Sequence, residues 1–593
     1  VTTIGGRAVR IGNCSGFYGD RLQAAREMVE GGPIDVLTGD YLAELTMLIL
    51  WKARQKDPVA GYAKTFLTQI EQVLGTCLDR GIRIVSNAGG LNPAGLAAEL
   101  AALAERLGLH PRIAYVDGDD LVDRLGELQA AGHAFAHLDT GRKLADAGVR
   151  PVSANAYLGA WGITEALRAD ADLVVTGRVT DASVVVGPAA WWHGWSREDV
   201  DIHDKIAGAM AAGHVIECGP QATGGNYAFF EEVTDRRYPG FPIAEVDADG
   251  SSVITKHEGT GGLVSVGTVT AQLLYEIAEP AYLGPDAVAH FDTLELAQDG
   301  EHRVRIRGAR GSAPTDQLKV ALNYEGGYRN TMTLVLTGNR IEEKAAWASQ
   351  QLTELLGGRD RFAEFDLQLL RFDHPDAATN AEATAHLRVT VKDPDRRKVG
   401  RAFSNTTMEL ALGGYPGFHT TTPPSAESAY GVYWPTLIPA DEVAHRVTLP
   451  DGDVRTIPHS AVTGSAPEPV TSRAHLAPVG GPTRRLPFGT IAGARSGDKG
   501  GNANIGVWTR TDDEYAWLRW YLSVERVREL LPEAVDLQVY RHELPNLRAV
   551  NIVVVGILGA GVASATRPDP QAKGLGEYLR SRLVDIPESL LSG

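Results

Sequence analysis

The chain has 593 residues, 44% of them hydrophobic and 22% charged; that excludes wholesale disorder and exceeds what one core usually holds, so two or three domains are expected. Its formal net charge of −17 excludes nucleic acid as the main partner, because phosphate binding needs a basic face, whereas an anionic small molecule needs only a local cluster of Arg, Lys or backbone N–H groups. Three scattered cysteines exclude a disulfide framework and a thiolate zinc site, and no run approaches the roughly 20 apolar residues of a membrane helix, so no membrane partner and a cytoplasmic location are expected.

Up to about residue 230, short β-branched runs alternate with Ala/Leu/Arg-rich helical runs. Strands are expected at Val9–Asn13, Val36–Thr38, Arg83–Ser86, Ile113–Val116, Leu173–Thr176 and Val215–Glu217. Helices fall between them, at Asp20–Glu30 and at Pro93–Leu107, where Leu96, Leu100, Leu103 and Leu107 recur at helical spacing. This alternation predicts an α/β domain with a mostly parallel sheet, and the continuously apolar strands suit a sheet covered on both faces. From about Phe241 to Leu449 the texture becomes β-richer, with strands at Leu318–Tyr324 and Met332–Thr337. Gly464–Pro487 holds five prolines and reads as a linker. The rest, 488–593, predicts a small α+β, ferredoxin-like domain. Its strands are expected at Gly489–Ala492, Ile505–Trp508, Leu537–Tyr540 and Ile552–Leu558, and its helices at Val524–Leu531 and Gly574–Leu583.

Ligands bind at the carboxyl ends of strands in open parallel sheets, and here those ends carry polar clusters. They contain Asn13, Cys14, Ser15 and Tyr18; Asp40 and Glu44; Asn87 and Gly89; Arg178 and Asp181; and Glu217, Thr223 and Asn226. A single such loop is ordinary turn and cap chemistry, with Asp20 and Asp181 natural helix caps; five in one domain predict a ligand cleft. Asn13, Ser15, Tyr18, Asn87, Gly89, Arg178, Thr223 and Asn226 are the candidate substrate-binding residues.

The strings IGNCSGFYGDR, GDYLAELTM, SNAGGLNP, LVVTGRVTDASVVVGPA, GHVIECGPQATGGNY and HEGTGGLVSVGTV, with YPGFHTTTPP and AYGVYWP, resemble the acyclic terpene utilisation A family. ARSGDKGGNANIGVW is similar to that family's ferredoxin-fold C-terminal module. The resemblance covers nearly the whole chain. It implies a place in the degradation of branched or terpenoid acids as coenzyme A thioesters, and transfers no residue role.

Roles therefore rest on chemistry. Cys14 and Cys218, beside small residues at expected strand ends, are candidate nucleophiles if nearby N–H groups lower the thiol pKa; the alternative is a buried thiol. Asp40, Asp181 and Glu217 are candidates for a general acid/base pair. Glu217, expected in an apolar strand, would have its pKa raised by burial, and its structural alternative is a salt bridge to Arg178. No histidine spacing or His-Glu-x-x-His segment marks a metal, no nucleotide fingerprint occurs, and no cofactor is identified beyond coenzyme A as part of a substrate.

In the C-terminal module, Arg495, Ser496, Lys499 and Asn502 lie in a Gly-rich loop suited to an anion. Three readings stand. The first is an enzyme acting on a carboxylic acid or acyl-CoA thioester by hydration, dehydration or lyase chemistry. The second is a CoA-transferase or thioester hydrolase using Glu217 or a cysteine. The third is a non-catalytic partner subunit. A homo-oligomer is expected.

Overall fold

The computed structural model describes residues 6–465 and 480–591. Most of the expected linker, 466–479, lies outside the described residues. Among the described residues the chain forms two compact units, one of residues 6–323, 433–465, 480–562 and 569–591, the other of 324–432 and 563–568.

The first unit is built on an eleven-stranded sheet. At its centre lie β1 (Val9–Asn13), β2 (Val36–Gly39), β3 (Arg83–Ser86), β4 (Ile113–Asp117) and β5 (Leu173–Thr176), all parallel, in the spatial order β1-β2-β3-β5-β4. Antiparallel strands extend both edges, beginning with β6 (Pro242–Val246) beside β1 and Arg446–Thr448 beside β4. The parallel sheet read from the first 230 residues is thus the centre of a larger mixed one. Its register pairs Asn13 with Thr38, Gly39 with Ser86, and Ser86 with Val175. The loops after β1, β2, β3 and β5 therefore leave the sheet side by side.

Helix α1 (Pro93–Leu107) forms where its leucines predict. Proline opens it, the Asn92 side chain accepts the Gly95 N–H at 2.9 Å, and left-handed Gly108 ends it. The expected strand Val215–Glu217 does not form. These residues close α3 (Ile202–Ile216), which follows α2 (Ser183–His193). Every residue from Ile206 to Ile216 is buried. A helix covered on all faces carries no polar stripe, so its β-branched end mimics a strand. Asp20 and Asp181 cap no helix: α2 has Ala182 at its N-cap, and the first helix starts only at Ala24. Asp20 instead accepts the N–H groups of Gly16 and Arg21 at 2.8 and 2.7 Å, pinning the loop after β1.

The same unit contains the C-terminal sheet, antiparallel in the order β7-β8-β10-β9: β7 (Gly493–Lys499), β8 (Asn502–Trp508), β9 (Val539–Leu544) and β10 (Ala549–Val554). Its core joins Ile505, Val507 and Ile552 to Trp517 and Leu518 of helix Asp512–Tyr521 and Leu579 of α4 (Leu575–Ser581). Three local readings change. The expected strand at Gly489–Ala492 is a short 3-10 turn. Thr483–Pro487, at the end of the expected linker, is a strand paired with Leu583–Pro587. The Gly-rich loop from Arg495 to Asn502 is a hairpin whose turn is only Gly500-Gly501. Gly497 serves close packing, since a Cβ there would come within 2.5 Å of the Tyr275 ring.

In the second unit an antiparallel sheet is formed where Tyr328–Thr337 pairs with Thr384–Asp393, which pairs with Glu364–Arg371. Helix Ile341–Leu355 shares its core. The strands expected at Leu318–Tyr324 and Met332–Thr337 are one strand, Gln317–Thr337.

Candidate active site

The loops after β1, β2, β3 and β5 and the end of α3 meet. The side chains of Asp40 (after β2), Asp181 (after β5) and Glu217 (at the C-cap of α3) each bring a carboxylate oxygen to within 4.8 Å of the others. Asp40 and Glu217 are both buried, whereas the Asp181 side chain is 28% exposed.

Local hydrogen bonds hold the Asp40 carboxylate and the backbone at Glu217 in place. The Asp40 N–H donates to the Ser15 carbonyl at 2.9 Å, and the Asp40 carboxylate accepts from Asn87 Nδ2 at 2.6 Å and the Leu42 N–H at 3.0 Å. Asn87 Oδ1 in turn accepts the Tyr41 N–H at 2.9 Å. Asn13 Oδ1 accepts the Ser15 N–H at 2.9 Å, and Asn13 Nδ2 donates to the Glu217 carbonyl at 3.4 Å. Gly16 lets these two segments touch: a Cβ there would lie 2.7 Å from the Cys218 carbonyl carbon.

Arg178 is buried and lies 3.0 Å from Asp181, not in a salt bridge with Glu217. It donates to the Leu42 carbonyl at 2.8 Å and lies over the Tyr157 ring, 4.3 Å from its centroid. Asp119 fixes its backbone, accepting the Arg178 N–H at 2.8 Å and Asn155 Nδ2 at 2.8 Å; burial pushes the Asp119 carboxyl up to about 7.

Burial, then the charge of Asp181, raises the Asp40 carboxyl well above the usual carboxylate range against the opposing pull of Arg178 and Asn87. Glu217 is raised by burial first, then by Asp181 and Glu276, with Lys499 and Arg178 opposing. Glu217 Oε2 has no hydrogen-bond partner, and the carboxyl sits at a helix C-terminus, where the peptide dipoles also disfavour an anion. Its other oxygen lies 3.3 Å from His214 Nδ1. Burial lowers the His214 pKa to about 4, so the ring is neutral near pH 7. Crowded carboxylates of this kind share protons, because they cannot all ionise at such spacing.

Lys499 arrives from the C-terminal hairpin. Its Nζ donates to the Glu276 carbonyl at 2.9 Å; burial and Lys319 lower its pKa, while Glu276, Glu44 and Asp181 oppose. Burial, then Asp498, pushes Glu276 up to about 8; burial, then Glu44, pushes Asp498 up to about 7. The acidic centre is thus flanked by Arg178 and Lys499 and surrounded by further perturbed carboxyls.

Other candidates lie elsewhere or do structural work. Burial pushes the Cys14 thiol up to about 12 and raises Cys218 well above its ordinary value, the reverse of what a nucleophilic thiolate needs. Tyr18 packs beside Leu42, Met47 and Leu91. A Cβ on Gly89 would come within 2.5 Å of the Thr176 carbonyl oxygen, which makes it a close-packing glycine. Thr223 Oγ1 donates to the carbonyls of Gly240 and Pro220, at 2.6 and 3.0 Å. Asn502 links to Asp139 at 2.8 Å. Asn226, Arg495 and Ser496 line a separate cavity of about 310 Å³. Sequence reasoning missed Glu276, Asp119, His214, Lys319 and Lys573. Glu276 in an ordinary LYEIAEP string and His214 inside a helix carry no motif, so only the fold reveals them.

Among the described residues, Asp40, Asp181 and Glu217 are also the only group of three or more metal-type side chains with ligand atoms so close together. An all-oxygen donor set is the kind a hard divalent cation takes. Its members come from distant loops, which is why no spacing motif announces it.

A family model described as acyclic terpene utilisation family protein AtuA matches residues 9–449, and one described as AtuA ferredoxin-like domain matches residues 486–585. Searches of curated proteins and of solved structures return no match. The chain belongs to the acyclic terpene utilisation family AtuA and carries that family's ferredoxin-like domain at its C-terminal end.

Proposed function

We propose that the chain is an enzyme of branched or terpenoid acid catabolism. It acts on a carboxylic acid or its coenzyme A thioester by hydration, dehydration or lyase chemistry at Asp40, Asp181 and Glu217. One observation carries the reading: three carboxylates from separate parts of the fold converge within 4.8 Å, and two of them are biased toward the protonated form by burial. General acid/base chemistry needs one group able to give a proton and another able to take one at the same pH. The family description, acyclic terpene utilisation, supports the substrate class.

In a dehydration, an ionised carboxylate of the cluster takes the proton from the carbon next to the acyl carbonyl. A protonated carboxyl gives its proton to the departing β-hydroxyl, which leaves as water; hydration is the reverse. In a lyase reaction the carboxylate takes the β-hydroxyl proton and the bond between the α and β carbons breaks. Its electron pair moves toward the acyl carbonyl, and the α-carbon then takes a proton from the carboxyl. Either route places negative charge on the acyl oxygen, which the fields of Arg178 and Lys499 favour. Purified protein assayed against branched enoyl and 3-hydroxyacyl thioesters should turn over at least one of them. Silence across that panel, with turnover of an unrelated substrate, would defeat the proposal.

A further inference from the structure

The 310 Å³ cavity is walled by the segment 224–230 that follows α3 and its turn, by the C-terminal hairpin and by the start of α4. Its floor carries Arg495, only 6% exposed. The guanidinium lies over the Tyr275 ring, 4.1 Å from the centroid, and donates one N–H to Gln221 Oε1. Among the described residues it has no carboxylate in ion-pair range, although most arginines of this chain that are so deeply set have one: Arg178 has Asp181 and Arg541 has Glu543. A nearly buried cation with no carboxylate paired to it and spare donors is costly unless something brings an anion.

The lining holds one carboxylate, Glu577, which is paired with Arg580 at 2.7 Å; the rest of the cavity suits such a guest. Lys573, half-buried, adds a second cation at the wall, held 3.1 Å from Glu276. Exposed Asn226, in a left-handed conformation at φ 57°, offers an amide, and Tyr227 and exposed Phe230 supply aromatic surface. Ser496 is not available to a ligand, because its hydroxyl donates to the Ala572 carbonyl at 2.7 Å and accepts the Gly576 N–H at 2.8 Å.

We propose that this cavity is an anion-binding subsite in which the planar fork of Arg495, with Lys573 beside it, takes a carboxylate or phosphate group whose neighbouring apolar or aromatic portion rests on Tyr227 and Phe230. Gln221, the Arg495 partner, lies on the turn that follows Glu217, so the subsite and the acidic cluster share one piece of backbone. Identifying the anion as part of the substrate rests on the acid/base reading above; the existence of the subsite does not. Two sources offer this chemistry: the phosphates of a coenzyme A thioester, beside its adenine, or the far carboxylate of a branched dicarboxylic acyl chain.

Titration calorimetry on the full chain distinguishes them, with coenzyme A, adenosine 3′,5′-bisphosphate and 3-methylglutarate as probes. At least one probe should bind, more weakly as salt is raised. Arg495→Gln should weaken it tenfold or more, as loss of a charge-assisted fork does. Asn226→Asp, at an exposed position that tolerates the change, should also weaken it by repelling the anion, which keeps the test alive if Arg495→Gln misfolds. Preference for the nucleotides assigns the phosphate source, and preference for the dicarboxylate assigns the acyl source. No binding by any probe at millimolar concentration, or binding unchanged in a folded Arg495→Gln or Asn226→Asp variant, would overturn the subsite. Glu217→Gln should leave probe affinity unchanged, so loss of turnover and loss of anion binding are read separately.

Discussion

Glu217→Gln removes one titrating proton and keeps the side chain's shape. Because burial and Asp181 raise the Glu217 pKa, the folded protein holds a proton there that the unfolded chain releases above the ordinary carboxylate range. Between the unfolded and the folded pKa, the folded state therefore binds more protons, and stability falls as pH rises, by about 1.4 kcal/mol per pH unit for one group. The glutamine variant lacks that slope. It should match wild type near pH 4 and become more stable by about 1.4 kcal/mol for each pH unit above the unfolded value, a gap that stops growing once pH passes the folded pKa. The new amide also faces Asp40 and Asp181 as a donor. Denaturant melts of both proteins at pH 4, 5, 6 and 7 read the difference directly. Turnover should fall by roughly 10²–10⁴, the usual worth of a general acid or base. A variant less stable than wild type at pH 7 would refute the reasoning, because it would mean that Glu217 is ionised and paired with Lys499 or Arg178.

Arg178→Ala removes the buried cation paired with Asp181 and should cost about 3–5 kcal/mol of stability; a loss under about 1 kcal/mol, measured by the same melts, would remove Arg178 from the cluster. Cys14→Ala and Cys218→Ala should each retain turnover within a few-fold, since neither thiol is poised as a thiolate; loss of turnover together with a trapped acyl adduct by mass spectrometry would restore a cysteine nucleophile. Dialysis against EDTA should leave turnover intact if the trio works by sharing protons. Activity lost on chelation and restored by Mg²⁺ or Mn²⁺ would replace the proton-sharing account with a metal-centred one.

Much of the fold is legible because its signals are local. The leucines of Pro93–Leu107 and the short β-branched runs at Val9, Val36, Arg83 and Leu173 each carry their own period. Val215–Glu217 misleads because a helix buried all round has no polar face to mark its period. The hairpin at Arg495 misleads because Gly497 serves close packing against Tyr275 and only Gly500-Gly501 make a turn. Within the site, Asp40, Asp181 and Glu217 are readable as polar residues beside glycines at chain-reversal points. Their convergence is not, since it depends on strand register and on where α3 ends. Lys499, Glu276 and His214 join through tertiary packing, which leaves no trace at short range in the sequence.

The central claim is that the Asp40–Asp181–Glu217 cluster moves a proton at the carbon beside an acyl carbonyl. Proton NMR of branched 3-hydroxyacyl and enoyl thioesters in D₂O with the purified protein tests it most directly. The account predicts loss of the α-proton signal, or its appearance as deuterium in product, with wild type and not with Glu217→Gln. Wild-type protein that leaves every α-proton in place while turning over another substrate, or a glutamine variant that exchanges at the wild-type rate, would contradict it.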